Sequence, residues 1–124
     1  MSVRRRIAAA DGIPAVDAVL AGADDRTTVA LASRYLLEQL AEEAEGHTVE
    51  VRVPPFGAVQ AVAGPRHTRG TPPNVVEMDA ATWIALATGS LSWDAAVADV
   101  RVTASGQRAS LAANLPLRWA TIGE

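Results

Sequence analysis

The sequence predicts an α+β domain with helices packed on one face of a twisted, mainly antiparallel sheet. Three observations carry that expectation. Thr28 to Glu45 places apolar residues at helical spacing, and Thr48 to Val53 then alternates with a period of two. The period changes again, from helical to two, near Asp99. The elements run helix, two strands, strand, two helices, strand, helix. Strands and helices are thus segregated enough to form separate layers.

In chain order, Ile13 to Leu20 reads as a short helix with Pro14 in its first turn and an apolar stripe of Ile13, Val16, Val19 and Leu20. Residues 1–26 form an N-terminal helical extension of a single domain that spans residues 1–124. In the helix Thr28 to Glu45, one face carries Val29, Leu36, Leu37, Leu40 and Ala44. Arg34, Glu38, Glu42 and Glu45 lie opposite, with Arg34 and Glu38 spaced for an i,i+4 pair. Leu31 and Tyr35 fall outside the stripe and need a second cover, which Ile13 to Leu20 can give. Gly46 closes the helix. Val49, Val51 and Val53 then point one way, Glu50 and Arg52 the other. Pro54-Pro55-Phe56-Gly57 is a turn, and Ala58 to Ala63 is the hairpin partner.

After a polar loop, Gly64 to Pro73, a short strand runs from Val75 to Met78. Asp79 is placed as an N-cap, and Ala80, Trp83, Ile84 and Ala87 fall on one helical face. Gly89 ends that helix in the left-handed conformation. Ser92 caps a second one, with Asp94 in its first turn and Trp93, Ala96 and Val97 on its apolar face. Val100, Val102 and Ala104 read as the inward side of a last strand. Gly106 turns the chain, Arg108 to Leu115 reads as a closing helix, and Pro116 stops it.

Composition narrows the function classes. Hydrophobic residues make up 49% and charged ones 20%, the balance of a globular domain; a net charge of −3 argues against a general nucleic-acid binder. The absence of cysteine removes disulfides and thiol chemistry, and all 11 basic residues are arginine, which removes a Schiff-base lysine. No segment has the pattern of a signal peptide or a membrane span, so a cytoplasmic protein without stable membrane insertion is expected.

No catalytic constellation can be assembled. His47 follows a helix C-terminus, where a dipole contact accounts for it. Asp79 is an N-cap before it is an acid catalyst. Two histidines without cysteine make no zinc site, and Gly57, Gly64 and Gly70 are separate turns rather than a phosphate cradle. Arg66, His67 and Arg69 form the one polar cluster that looks like a site. They fit an anionic head group, and they fit a solvated loop as well. Trp83, Trp93 and Trp119 fit either a core or the wall of a pocket beside it.

The run Trp83 to Trp93, Trp-Ile-Ala-Leu-Ala-Thr-Gly-Ser-Leu-Ser-Trp, followed by a strand ending Ala104-Ser105-Gly106, resembles the sterol carrier protein 2 family. Val51 to Gln60 and Gly64 to Asn74 look like a short actinobacterial branch of it, and the resemblance extends over about Val29 to Leu117. It implies an apolar tunnel between helices and sheet that holds a sterol, a fatty acyl chain or a similar lipid, without catalysis and without a metal or other cofactor. The family domain also occurs attached to enzymes, including thiol-dependent isomerases. An accessory domain of such a system, or an interaction module using the same apolar surface, are the alternatives; a homodimer is compatible with each. The implied lining is Phe56, Val59, Trp83, Ile84, Leu86, Leu91, Trp93, Val97, Leu111 and Leu115, with Arg66, His67 and Arg69 at the mouth. Two departures stand out. The glycine often found before the last strand is replaced around Asp99 and Val100, and little chain follows Pro116 to form a lid.

Overall fold

The structure, a computed structural model, describes residues 6–64 and 74–120. Among these, the order is α1 (Ala9–Leu20), α2 (Arg26–Glu43), β1 (Val49–Val53), β2 (Gly57–Ala61), β3 (Val75–Met78), α3 (Ala80–Thr88), α4 (Trp93–Ala98) and β4 (Val102–Ser105). The strands form one sheet in the order β2-β1-β3-β4. β1 pairs antiparallel with β2 and β3 with β4, while β1 and β3 run parallel, so the sheet is mixed but mainly antiparallel.

Register decides which side chains meet the helices. Val51 lies opposite Val59 on β2 and opposite Val76 on β3, and Met78 lies opposite Val102. Residues opposite one another share a face. Val49, Val51, Val53, Val76 and Met78 are accordingly buried, as the alternation in β1 predicts. Glu50, Arg52, Glu77 and Thr103 occupy the other face, and there Arg52 Nε donates to Glu50. That contact, with the charge attraction behind it, raises the already high pKa of Arg52.

α2 packs on the sheet and on α3, and α1 packs on α2. Tyr35 and Leu36 are fully buried in that stack. The contact is so close that a Cβ on Gly12 would lie 2.1 Å from the Tyr35 ring. The cover needed by Tyr35 is therefore α1, which begins at Ala9 rather than Ile13. Pro14 thus sits in its second turn, where the helix forgoes one backbone hydrogen bond. α2 also starts earlier than its apolar stripe suggests. Asp25 caps it, accepting from the N–H and the hydroxyl of Thr28.

α3 follows its sequence signals closely. The Asp79 carboxylate accepts the Thr82 N–H at 2.8 Å, and Gly89 ends the helix with φ of 89°. Ser92 caps α4 through the Ala95 N–H. β4 departs from expectation at its start. Val100 is not its first inward residue; it is 86% exposed, with φ of 55°. The Val100 N–H donates to Val97 O and the Arg101 N–H to Ala96 O. That pair of bonds is a Schellman closure of α4, with Val100 in the place glycine usually takes. Only from Val102 onward does the chain join the sheet.

The closing helix expected from Arg108 to Leu115 does not form. The segment is a run of turns closed by short-range bonds such as Asn114 N–H to Leu111 O. The Ser110 hydroxyl accepts the Ala112 N–H, a local side-chain bond that offers the backbone an alternative to helical pairing. Tertiary anchors hold the segment instead. Leu111 and Leu117 are buried, Leu117 N–H donates to Ala87 O, and Arg118 N–H donates to the Glu43 carboxylate.

Candidate functional site

A cleft of about 740 Å³ opens between α2 and the tip of the β1–β2 hairpin. Its α2 wall is built by Arg26, Thr27, Ala30, Leu31, Arg34, Leu37 and Glu38. These recur at three- and four-residue spacing, so they lie along one helix face. Phe56, Gly57, Ala58 and Val59 form the opposite wall, and Arg6 and Ile7, just before α1, close a third side. The floor is apolar: Ile7, Leu31, Phe56 and Val59 are half-buried and packed against the core.

Charged groups frame that floor. Arg34 Nε donates to the Phe56 carbonyl at 2.9 Å. The Arg26 guanidinium carbon stands 5.3 Å from the centre of the Phe56 ring, a cation–π distance. The expected pairing of Arg34 with Glu38 is absent. Glu38 Oε1 instead accepts the backbone N–H groups of Arg6 and Ile7, each at 3.0 Å, and fastens the segment before α1 to α2. At the helix start, the hydrogen bonds from Thr28 hold the Asp25 carboxyl below the usual carboxylate range.

The residues expected to line a cavity are dispersed. Phe56 and Val59 lie in the cleft. Leu86, Leu91, Trp93 and Leu115 meet around a second, smaller depression of about 320 Å³ beside α3 and α4. Trp83, Ile84 and Leu111 are fully buried core residues, and Trp83 Nε1 donates to the Ser33 carbonyl of α2 at 3.2 Å. Val97 is exposed on α4. Arg66, His67 and Arg69 lie outside the described residues. His47 Nδ1 lies 2.8 Å from Gln60 Oε1.

Bulk and helical spacing select residues that face inward. They do not say which part of the interior is filled, and Trp83 shows a filled part. The α2 wall of the cleft had one signal in the sequence. Leu31 lies off the main apolar stripe, and unlike Tyr35 it is left half-buried after α1 has docked. Arg26 and Arg34 had none, because exposed arginines on a helix are ordinary.

Among the described residues, no group of three or more His, Asp or Glu is placed to hold a metal ion, and no helix is long and apolar enough to cross a membrane. No curated protein matches the chain. A family described as "Bacterial SCP ortholog" does match, over residues 25–117. The match starts at the cap of α2 and ends at buried Leu117, leaving α1 outside it. Three quarters of the sequence are thereby accounted for, on an α+β framework of the kind that the motif around Trp83 to Trp93 implies, and the chain belongs to this sterol carrier protein 2-like family of lipid-carrier-type domains.

Proposed function

We propose that the protein binds and carries a lipid-like hydrophobic small molecule, without converting it, in the cleft between α2 and the β1–β2 hairpin. The observation that carries this reading is the cleft itself. Its volume is in the range of small-molecule sites, and an apolar floor is framed by a few polar groups. Phe56 and Val59 are the members of the sequence-derived lining that fall in it. Leu91, Trp93 and Leu115, with Leu86, line the alternative location. The head-group role expected of Arg66, His67 and Arg69 is not carried by this location, because the cleft sits where β2 begins and their segment follows where β2 ends. A cytoplasmic setting fits a carrier of this kind.

The two locations give different signals. Trp83 is buried, Trp119 lines neither location and Trp93 borders the smaller depression, so a change in Trp93 fluorescence reports on that depression. Amide NMR shifts of Leu31, Phe56 and Val59 report on the cleft. Titration with a single-chain lipid is expected to move the cleft signals, and Leu31→Trp, which fills the floor, is expected to weaken binding about tenfold or more. Native mass spectrometry of the purified protein should show a retained apolar ligand. No retained ligand and no shift in either region would favour the interaction-module reading. That reading has an observation of its own: Val97, at the end of α4, and Val100, just after it, are both exposed. Its check is self-association by sedimentation, which Val97→Asp should abolish.

A further inference from the structure

We infer that the free edge of β2, beside the cleft, takes up the extended C-terminal tail of a partner protein as an added antiparallel strand. This goes beyond the carrier reading, because the partner is a peptide and its backbone is what the edge recognises. The direction of the backbone groups in the sheet comes first. Glu50 N–H donates to Asn74 O, on the β3 side of β1. Backbone groups of successive strand residues point to opposite sides, so Val49, Val51 and Val53 turn theirs toward β2. Their partners there are Ala61, Val59 and Gly57. Ala58 and Gln60 alternate with these and therefore aim their N–H and C=O groups away from β1. Among the described residues no strand lies beyond β2, and Ala58 and Gln60 are both exposed. Such an edge is a template for strand pairing.

The side chains around that edge decide what pairs with it. Residues opposite one another share a face, so tail residues set against Gly57 and Val59 point into the cleft, toward Leu31, Leu37 and Phe56. Gly57 brings no side chain of its own into that space; a Cβ there would stand 3.4 Å from Leu37 Cδ1. Apolar residues at alternate positions of the tail fit this wall. Charge then fixes the direction. Arg34 Nε donates to the Phe56 carbonyl and Arg26 stands over the Phe56 ring, just before β2 begins. Among the described residues, neither has a carboxylate partner. A strand antiparallel to β2 ends where β2 begins, which sets its terminal carboxylate beside the two guanidiniums. A parallel strand would bring its amino end there. A lipid can meet the apolar floor and the arginines, but it leaves the strand edge unpaired. A peptide tail satisfies all three.

The test titrates the peptide acetyl-Ser-Val-Ser-Leu-Thr-Val, as free acid and as C-terminal amide, into the whole chain without lipid. Amide NMR shifts and hydrogen exchange are followed. The free acid should bind and slow exchange at Ala58 and Gln60, which should exchange fast in the peptide-free protein. The amide should bind about tenfold more weakly, and Arg26→Gln/Arg34→Gln should bring the two peptides to within about twofold of each other. Ala58→Pro removes one outward N–H and spares the bonds to β1, so it should weaken the free acid about tenfold or more. Slow exchange at Ala58 and Gln60 before peptide is added would mean that the chain itself covers the edge, and would overturn the inference. So would the absence of peptide binding, or binding that shifts the cleft without slowing those two amides. Equal affinity for acid and amide would overturn the recognition of a C-terminus, and a preference that survives in the double variant would overturn the assignment to these arginines. With no lipid present, failure here leaves carriage standing, and a failed lipid titration leaves strand addition standing. Exchange in the wild type decides the point even if a variant does not fold.

Discussion

Val100 stands where a helix ordinarily ends in glycine. Its φ of 55° is strained for a β-branched residue, and it is 86% exposed, so its side chain gives little packing in return. Val100→Gly is therefore expected to raise stability by about 1 kcal/mol, read as a higher melting temperature by calorimetry. Asp79 is the opposite case, a residue well matched to its place. Its hydrogen bonds from Thr82 hold its pKa below the reference value of 3.8. A lowered folded-state pKa means that the contribution is present above the unfolded pKa and is lost as pH falls through the folded one. Asp79→Ala should cost about 1 kcal/mol near neutral pH, and the gap to wild type should close on acidification below about pH 4. A gap that is constant with pH in urea titrations would mean that the charged cap is not the cause. Asp25, capping α2 in the same way, should behave in the same direction.

At the scale of elements, Asn74 shows how a residue that reads as part of a turn becomes a joint. It is buried, its Nδ2 donates to Thr48 O at 2.9 Å, and its Oδ1 accepts Arg108 N–H at 2.8 Å. Its own carbonyl accepts Glu50 N–H. One side chain thus ties the start of β1 and the start of β3 to the segment after β4. Asn74→Ala removes both side-chain bonds from a buried position, at a cost of about 1–3 kcal/mol. Hydrogen exchange should quicken at Glu50 and Arg108 more than in α2. Uniform quickening instead would mean that the effect is global rather than a loosened joint.

For the whole molecule, α1 is the element to watch. It lies outside the family match, yet Val16 and Tyr35 are fully buried between it and α2, and Glu38 binds the backbone just before it. Removing residues 6–21 uncovers Tyr35 and opens one side of the cleft. The truncated chain should lose roughly 3 kcal/mol or more in denaturant unfolding and bind single-chain lipids more weakly. Unchanged stability would mean that α1 is an appendage rather than a layer of the fold.

The sequence by itself determined most of the elements and their faces. The valines of β1, the caps Asp79 and Ser92 and the stop at Gly89 are local signals, set by side-chain periodicity and by backbone groups that need a partner within a few residues. The motif around Trp83 to Trp93 led to the family as well. What only the tertiary structure decided is where space is left over. Trp83 and Leu111 could have lined a cavity, but they fill the core; Arg26 and Arg34 read as ordinary surface, but they frame a cleft. The difference lies in contacts between residues far apart in the chain: Gly12 against Tyr35, Arg34 against Phe56, Trp83 against Ser33. The segment from Arg108 to Leu115 is likewise held in its turns by anchors from distant parts of the fold. Periodicity tells a residue which way to face. Only the packed chain decides whether it finds a neighbour there or an opening.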